Sequence, residues 1–213
     1  MSTSRIYDAI TSHVLEHRSI YFFTATLFLI GVIVGAVIVN SLSLSQRHDL
    51  FTYVSQFFHE MNKGYIDVSS SDLFVHSFMH YGKYFGFLWV LGVSLIGLPV
   101  IFVLLFAKGV VVGFTVGFLV NQMGAQGFLL SFVSVLPQNI ILVPAFIVVS
   151  TVSAAFCIRL MRQTIGKVES EPFFPHFLRY TMLVLTVGAF VTVASFFEAY
   201  VSPVLMRAVV TSF

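Results

Sequence analysis

Two adjacent side-chain amides, Gln138 and Asn139, follow Pro137 in the stretch SVLPQNIILVPAF, residues 134 to 146, which carries a second proline at Pro144. No charge occurs from Gly109 to Ile158. Proline lacks a backbone N–H and clashes with the carbonyl four residues earlier, so Pro137 frees a carbonyl near Val133 and Pro144 another at Ile140. In hydrocarbon such groups must find partners in side chains, water or a neighbouring helix, and amides can both donate and accept. Broken helices with polar groups at mid-membrane are also how transporters build binding sites. A structural kink, a transport site and a contact for a partner's helix all remain open on the residues alone.

The other groups capable of chemistry form no catalytic set. Of seven histidines, His48, His59, His76 and His80 fall within one segment. His76 and His80 would share a helix face, but HSFMH lacks the glutamate that supplies the base in HExxH, so no metal or other cofactor is expected. No Gly-x-Ser-x-Gly appears, nor a serine paired with a histidine within an apolar run. Glu198, the one acid near a span, lies at its outer end within reach of water. Cys157 stands alone and cannot form an intrachain disulfide. The expectation is a protein that is not an enzyme.

These residues must be carried by membrane helices. The chain is 58% apolar and 9% charged, with a mean hydropathy of +0.96, whereas soluble domains have roughly 45–50% apolar and 25% charged residues. A net charge of +2 on dispersed basic residues excludes a nucleic-acid reader. A crossing needs about twenty apolar residues, and 20–39, 84–123, 128–158 and 180–201 meet or approach that length. The first is too long for a signal-peptide core and reads as a retained anchor. Arg5 and Arg18 precede it, while Arg159, Arg162, Lys167 and Arg179 lie between the last two runs. Both groups belong in the cytoplasm by the positive-inside rule, which requires an even number of crossings between them. Splitting the long run at Lys108 meets that requirement. The expected fold is an all-α integral membrane protein, a bundle of about five transmembrane helices over 20–40, 84–107, 109–123, 127–158 and 178–201. Its N-terminus is cytoplasmic, its C-terminus extracytoplasmic, and its fourth helix is broken by prolines. Residues 1–213 form a single domain with an outer segment, 41–83, and a cytoplasmic basic loop, 159–179.

The outer segment is the one surface large enough for a macromolecular partner. Phe51, Val54, Phe57, Phe58 and Met61 recur at helical spacing over Ser45 to Lys63, Gly64 ends that helix, and SSSD offers a cap for a second one beginning near Leu73. Their apolar faces either cover the bundle and interface or receive an extracytoplasmic partner through Phe51, Val54, Phe57, Phe58, Tyr65, Phe74 and Phe78. Within the membrane, small residues four apart let helix backbones approach. Gly31 with Gly35, and Gly109 with Gly113 and Gly117, are the candidates for such packing, within this chain or against another subunit.

The stretches SRIYDAITSHVLEHRSIYFF, GAVIVNSLSLSQRHDLFTYVSQFF, GLPVIFVLLFAKGVVVGFTVGFLVNQMG and FVSVLPQNIILVPAFIV closely resemble stage II sporulation protein M of endospore-forming bacteria, over nearly the whole chain. The resemblance implies a multi-pass component of the mother-cell membrane at the sporulation septum. It implies a non-enzymatic scaffold that anchors and localises two septal peptidoglycan hydrolases, stage II sporulation proteins P and D, during engulfment. The wider family commonly carries Pro-His-Gly-x-x-Glu where this chain has Pro137-Gln138-Asn139-Ile140-Ile141-Leu142. The ionisable groups of that motif are replaced here by amides and a leucine, which cannot shuttle protons near neutral pH. A small-molecule permease or channel using the broken fourth helix is the alternative reading.

Overall fold

A computed structural model of the chain describes residues 17–62, 70–164, 166, 173–196 and 199–200. They form α-helices with no strand among the described residues. The helices are α1 (Arg18–Ser41), α2 (Leu44–Asn62), α3 (Ser70–Val93), α4 (Gly97–Ser134), α5 (Leu136–Thr164) and α6 (Phe173–Phe196). Four of them, α1, α4, α5 and α6, are long and apolar enough to cross a membrane.

Lys108 does not break a helix: α4 runs through it without interruption. The break falls earlier, at Ser94–Ile96, where Ser94 N–H donates to the Leu91 carbonyl and Gly97 N–H to the Ser94 carbonyl, each at 3.0 Å. Pro99 then sits in the first turn of α4, where a missing N–H leaves no bond unmade. Residues 84–93 consequently belong to α3, continuous with 70–83, so the outer segment does not end at residue 83 as an independent piece.

The expected helix over 127–158 is likewise divided. Its first part continues α4 beyond a kink at Gly124, whose φ of 58° is in the left-handed region that favours glycine. The second part begins anew at Leu136. Pro137 therefore starts α5 instead of breaking it, and Pro144 is the proline within that helix. Helix α6 begins at Phe173, so the expected basic loop is shorter: Arg159 and Arg162 lie on α5 and Arg179 on α6.

Helix directions follow from the contacts. On α1 and α4, Gly31 faces Gly109 and Ala36 faces Gly117, so the two run parallel. Helix α5 runs the opposite way, with its basic last turn beside the first turns of α1 and α6. Helix α3 is parallel to α5: Phe85 lies 4.8 Å from Phe146 between ring centroids, and Gly92 faces Ser153. Helix α5 is central and packs against α1, α3, α4 and α6. The interior contains Phe28 of α1, Phe85 and Leu88 of α3, Ile101 and Leu105 of α4, and Leu142, Phe146 and Val149 of α5.

Helix α2 lies apart, with no other helix packed along it among the described residues. A reciprocal cap starts it, in which Gln46 N–H donates to Ser43 Oγ at 3.3 Å and Ser43 N–H to Gln46 Oε1 at 3.0 Å. Arg47 ties it to the bundle by donating to the carbonyls of Leu42 and Asn40 and, at 3.4 Å, to Asn121 Oδ1 on α4.

Candidate functional site

Three groups of polar residues stand out in the interior; apart from them, the buried Ser150 Oγ has no partner among the described residues. The first is the junction of α4 and α5. Here Val135 N–H donates to the Ser131 carbonyl at 2.8 Å, and Asn139 gives the Val135 carbonyl both its backbone N–H, at 3.3 Å, and its side-chain Nδ2, at 2.7 Å. Asn139 thus reinforces the first turn of its own helix. Its Oδ1 and the Oε1 of Gln138 are shielded and have no partner among the described residues. Two acceptors removed from water are a marked expense in a low-dielectric interior, roughly 1–3 kcal/mol each. Pro137 lies in that first turn and Pro144 farther along, so the structure groups Pro137, Gln138 and Asn139 at a helix start and separates Pro144 from them.

The second group surrounds Lys108. Its position within α4, eleven residues beyond Gly97, puts it roughly 16 Å along the helix. The ammonium sits over three aromatic rings, 5.5 Å from the centroid of Tyr81, 5.9 Å from Tyr84 and 5.1 Å from Phe146. Aromatic faces attract a cation through their quadrupoles, by about 2 kcal/mol or more each where water is excluded. Tyr84 packs edge-on to Phe146, and His80 edge-on to Tyr84, so α3, α4 and α5 together form the cage. No spacing in the sequence pointed to it, because its members lie on three separate helices.

The third group is a seam of small polar residues on α5. Thr151 and Thr24 share a hydrogen bond of 2.8 Å between α5 and α1. Tyr180 of α6 donates to the Trp89 carbonyl of α3 at 2.9 Å, and its oxygen is also 2.9 Å from Ser153 Oγ. Trp89 Nε1 donates to Thr181 Oγ1 at 3.1 Å, and the Cys157 thiol to the Ser94 carbonyl at 3.1 Å. Every pair joins two different elements. The hydroxyls hold helices together, and no serine among these bonds has a histidine as its partner. Nor do three His, Cys, Asp or Glu side chains converge anywhere among the described residues.

The five candidate packing glycines come together in the contact between α1 and α4. A methyl group on Gly31 would lie 2.5 Å from the Phe106 carbonyl oxygen, one on Gly35 2.1 Å from that of Val110, and one on Gly109 2.5 Å from that of Phe28. On Gly113 it would lie 2.0 Å from the Val32 carbonyl oxygen, and on Gly117 3.0 Å from the Ala36 Cα. A real Cβ does not tolerate most of these distances, so backbone touches backbone over nearly three turns.

The candidate docking residues are dispersed. Phe51 and Val54 are half-buried on α2, while Phe74 and Phe78 stack side by side on α3, with centroids 6.1 Å apart. Tyr65 lies outside the described residues, as do the side chains of Phe57 and Phe58. Glu198 also lies outside them.

Comparison with known proteins adds one finding. No curated protein and no solved structure matches the chain significantly. The family model described as stage II sporulation protein M matches residues 24–203, from the first turns of α1 to beyond the end of α6. The match includes both packing glycine sets, the Lys108 cage and the α4–α5 junction. The chain belongs to the stage II sporulation protein M family, and is a sporulation-related membrane protein.

Proposed function

We propose that this protein is a non-enzymatic scaffold in the mother-cell membrane at the sporulation septum, anchoring and localising peptidoglycan hydrolases during engulfment. The proposed clients are stage II sporulation proteins P and D. Family membership is the observation that carries the reading. Four interior hydroxyls support it, since those of Thr24, Thr151, Ser153 and Tyr180 are engaged in joining helices. The proposed orientation has α3 as a fifth crossing, with the end bearing Arg159, Arg162 and Arg179 in the cytoplasm. The N-terminus is then inside and the C-terminus outside, and α2 with the first turns of α3 faces the hydrolases.

Photocrosslinking residues placed at Val54, Phe74 and Phe78 test this reading in sporulating cells. Capture of stage II sporulation protein P at one or more of these positions is expected. Intact complex with no capture at any of them removes the docking segment from the proposal.

A permease or channel remains a second reading because of the shielded, unpartnered oxygens of Gln138 and Asn139. The two readings separate on Gln138→Leu. A permease loses solute flux in that variant, whereas the scaffold retains hydrolase capture and shows no flux to lose.

A further inference from the structure

At the end of the bundle away from α2, the last turns of α5 and the first turns of α1 and α6 enclose an open cleft of about 610 Å³. Arg159 and Arg162 enter it from α5, His176 and Arg179 from α6, and His17 from the residue before α1. Arg159 Nη2 and His176 Nε2 are 2.8 Å apart and form one side of the cleft. The floor is apolar, with Ile20, Val152, Phe156 and Leu183 beneath the basic groups. No Asp or Glu among the described residues lines it.

We infer that this cleft binds a phosphate-bearing anion, with the Arg162 and Arg179 guanidinium groups on the phosphate. A solvated basic face would spread its charges along one helix. Here Arg162 of α5 and Arg179 of α6 bring two exposed guanidiniums to a single concavity from two helices, and a planar guanidinium pairs two oxygens of a phosphate at once. The positive ends of the α1 and α6 helix dipoles lie at the same end of the bundle. An apolar floor next to that charge matches a molecule with an anionic head and a hydrocarbon body, as basic pockets between membrane helices bind anionic lipid headgroups. A free phosphate would use the guanidiniums alone.

The purified full-length protein in detergent separates the two sources. Native mass spectrometry after delipidation and addition of phosphatidylglycerol or phosphatidylcholine reads lipid retention, and thermal unfolding with added inorganic phosphate reads the free ion. Arg162 and Arg179 are exposed, so the double variant R162Q/R179Q retains the bundle. Arg47→Gln, at the opposite end, is a control for loss of a basic residue outside the cleft. At roughly 1 kcal/mol per basic residue near a membrane surface, the double variant is expected to lose about 30-fold in affinity for phosphatidylglycerol. The control is expected to lose none.

Preference for phosphatidylglycerol over phosphatidylcholine that falls in the double variant assigns the cleft to a lipid. Stabilisation by inorganic phosphate that falls in the double variant, without lipid preference, assigns it to a free phosphate. Absence of both effects, or either one unchanged in R162Q/R179Q or equally reduced in Arg47→Gln, overturns the inference.

Discussion

Gly113→Ala places one methyl group where α1 and α4 are closest. The new Cβ would meet the Val32 carbonyl oxygen at 2.0 Å, its carbon at 2.7 Å and the Val32 Cα at 2.8 Å. All three are backbone atoms, so no rotamer change relieves the overlap. Restoring ordinary contact at about 3.2 Å requires the helices to separate by roughly 1 Å near this point. A separation of that size forfeits a quarter to a half of each dispersion contact, at about 0.15 kcal/mol per atom pair. For roughly forty pairs in the patch the loss is about 1.5–3 kcal/mol, the range typical of overpacked cores.

Alanine also gains about 1 kcal/mol over glycine from helix propensity, so the quantity to measure is a difference between two Gly→Ala variants. Gly188 of α6 has no atom within 4 Å of the place its added methyl group would occupy and supplies the propensity gain alone. Thermal unfolding in one detergent should place Gly113→Ala about 3–12 °C below Gly188→Ala, at about 2–4 °C per kcal/mol for a chain of this size. Equal melting temperatures would refute the close α1–α4 contact. A drop in both variants would instead mean that α6 carries an interface of its own at Gly188.

Tyr180→Phe removes the hydroxyl that contacts Ser153 and the Trp89 carbonyl. A loss of roughly 1–2 kcal/mol is expected for interhelical bonds of this kind, and adding Ser153→Ala to Tyr180→Phe should cost less than the two single losses combined. Additivity would mean that the two oxygens are uncoupled. Cysteines introduced at the exposed positions Asn121 and Thr164 should report opposite sides of the membrane. Asn121→Cys should react with an impermeant maleimide in intact cells and Thr164→Cys only after permeabilisation, with reaction of the latter in intact cells reversing the proposed orientation. The native Cys157, buried and donating to the Ser94 carbonyl, should stay unlabelled in both until the protein is denatured.

The glycine contact was legible in sequence because its signal is local: a four-residue period on each helix. Which glycine meets which was not, since the pairing of α1 with α4 is a tertiary choice. Lys108 shows the opposite case. A lone charge in an apolar run reads as a boundary, because a lysine in hydrocarbon needs an uncommon environment. That environment exists, but Tyr81, Tyr84 and Phe146 are brought to it by folding. The true break was marked by Gly97-Leu98-Pro99, since a proline just inside a helix start is favoured. The same rule applies to Pro137, so the stretch that resembled a helix broken at mid-span is a helix beginning.

Helix α5 has the property that ties these features together, and its pattern is also visible in sequence once glycine is not the only small residue sought. Ser150, Thr151, Ser153, Ala154 and Cys157 are all wholly buried, and they include the four-residue pairs Ser150 with Ala154 and Ser153 with Cys157. Small side chains let several helices approach one axis, as the glycines do for a single pair. Unlike glycine, each of three members also hydrogen-bonds a different element: Thr151 to α1, Ser153 to α6 and Cys157 to the turn between α3 and α4. The glycines permit one close contact, whereas these groups specify the angular order of the neighbours around α5. A helix held on that many sides forms the axis of the bundle, and such an axis suits the proposed scaffold, in which a surface at one end must keep its position relative to the other.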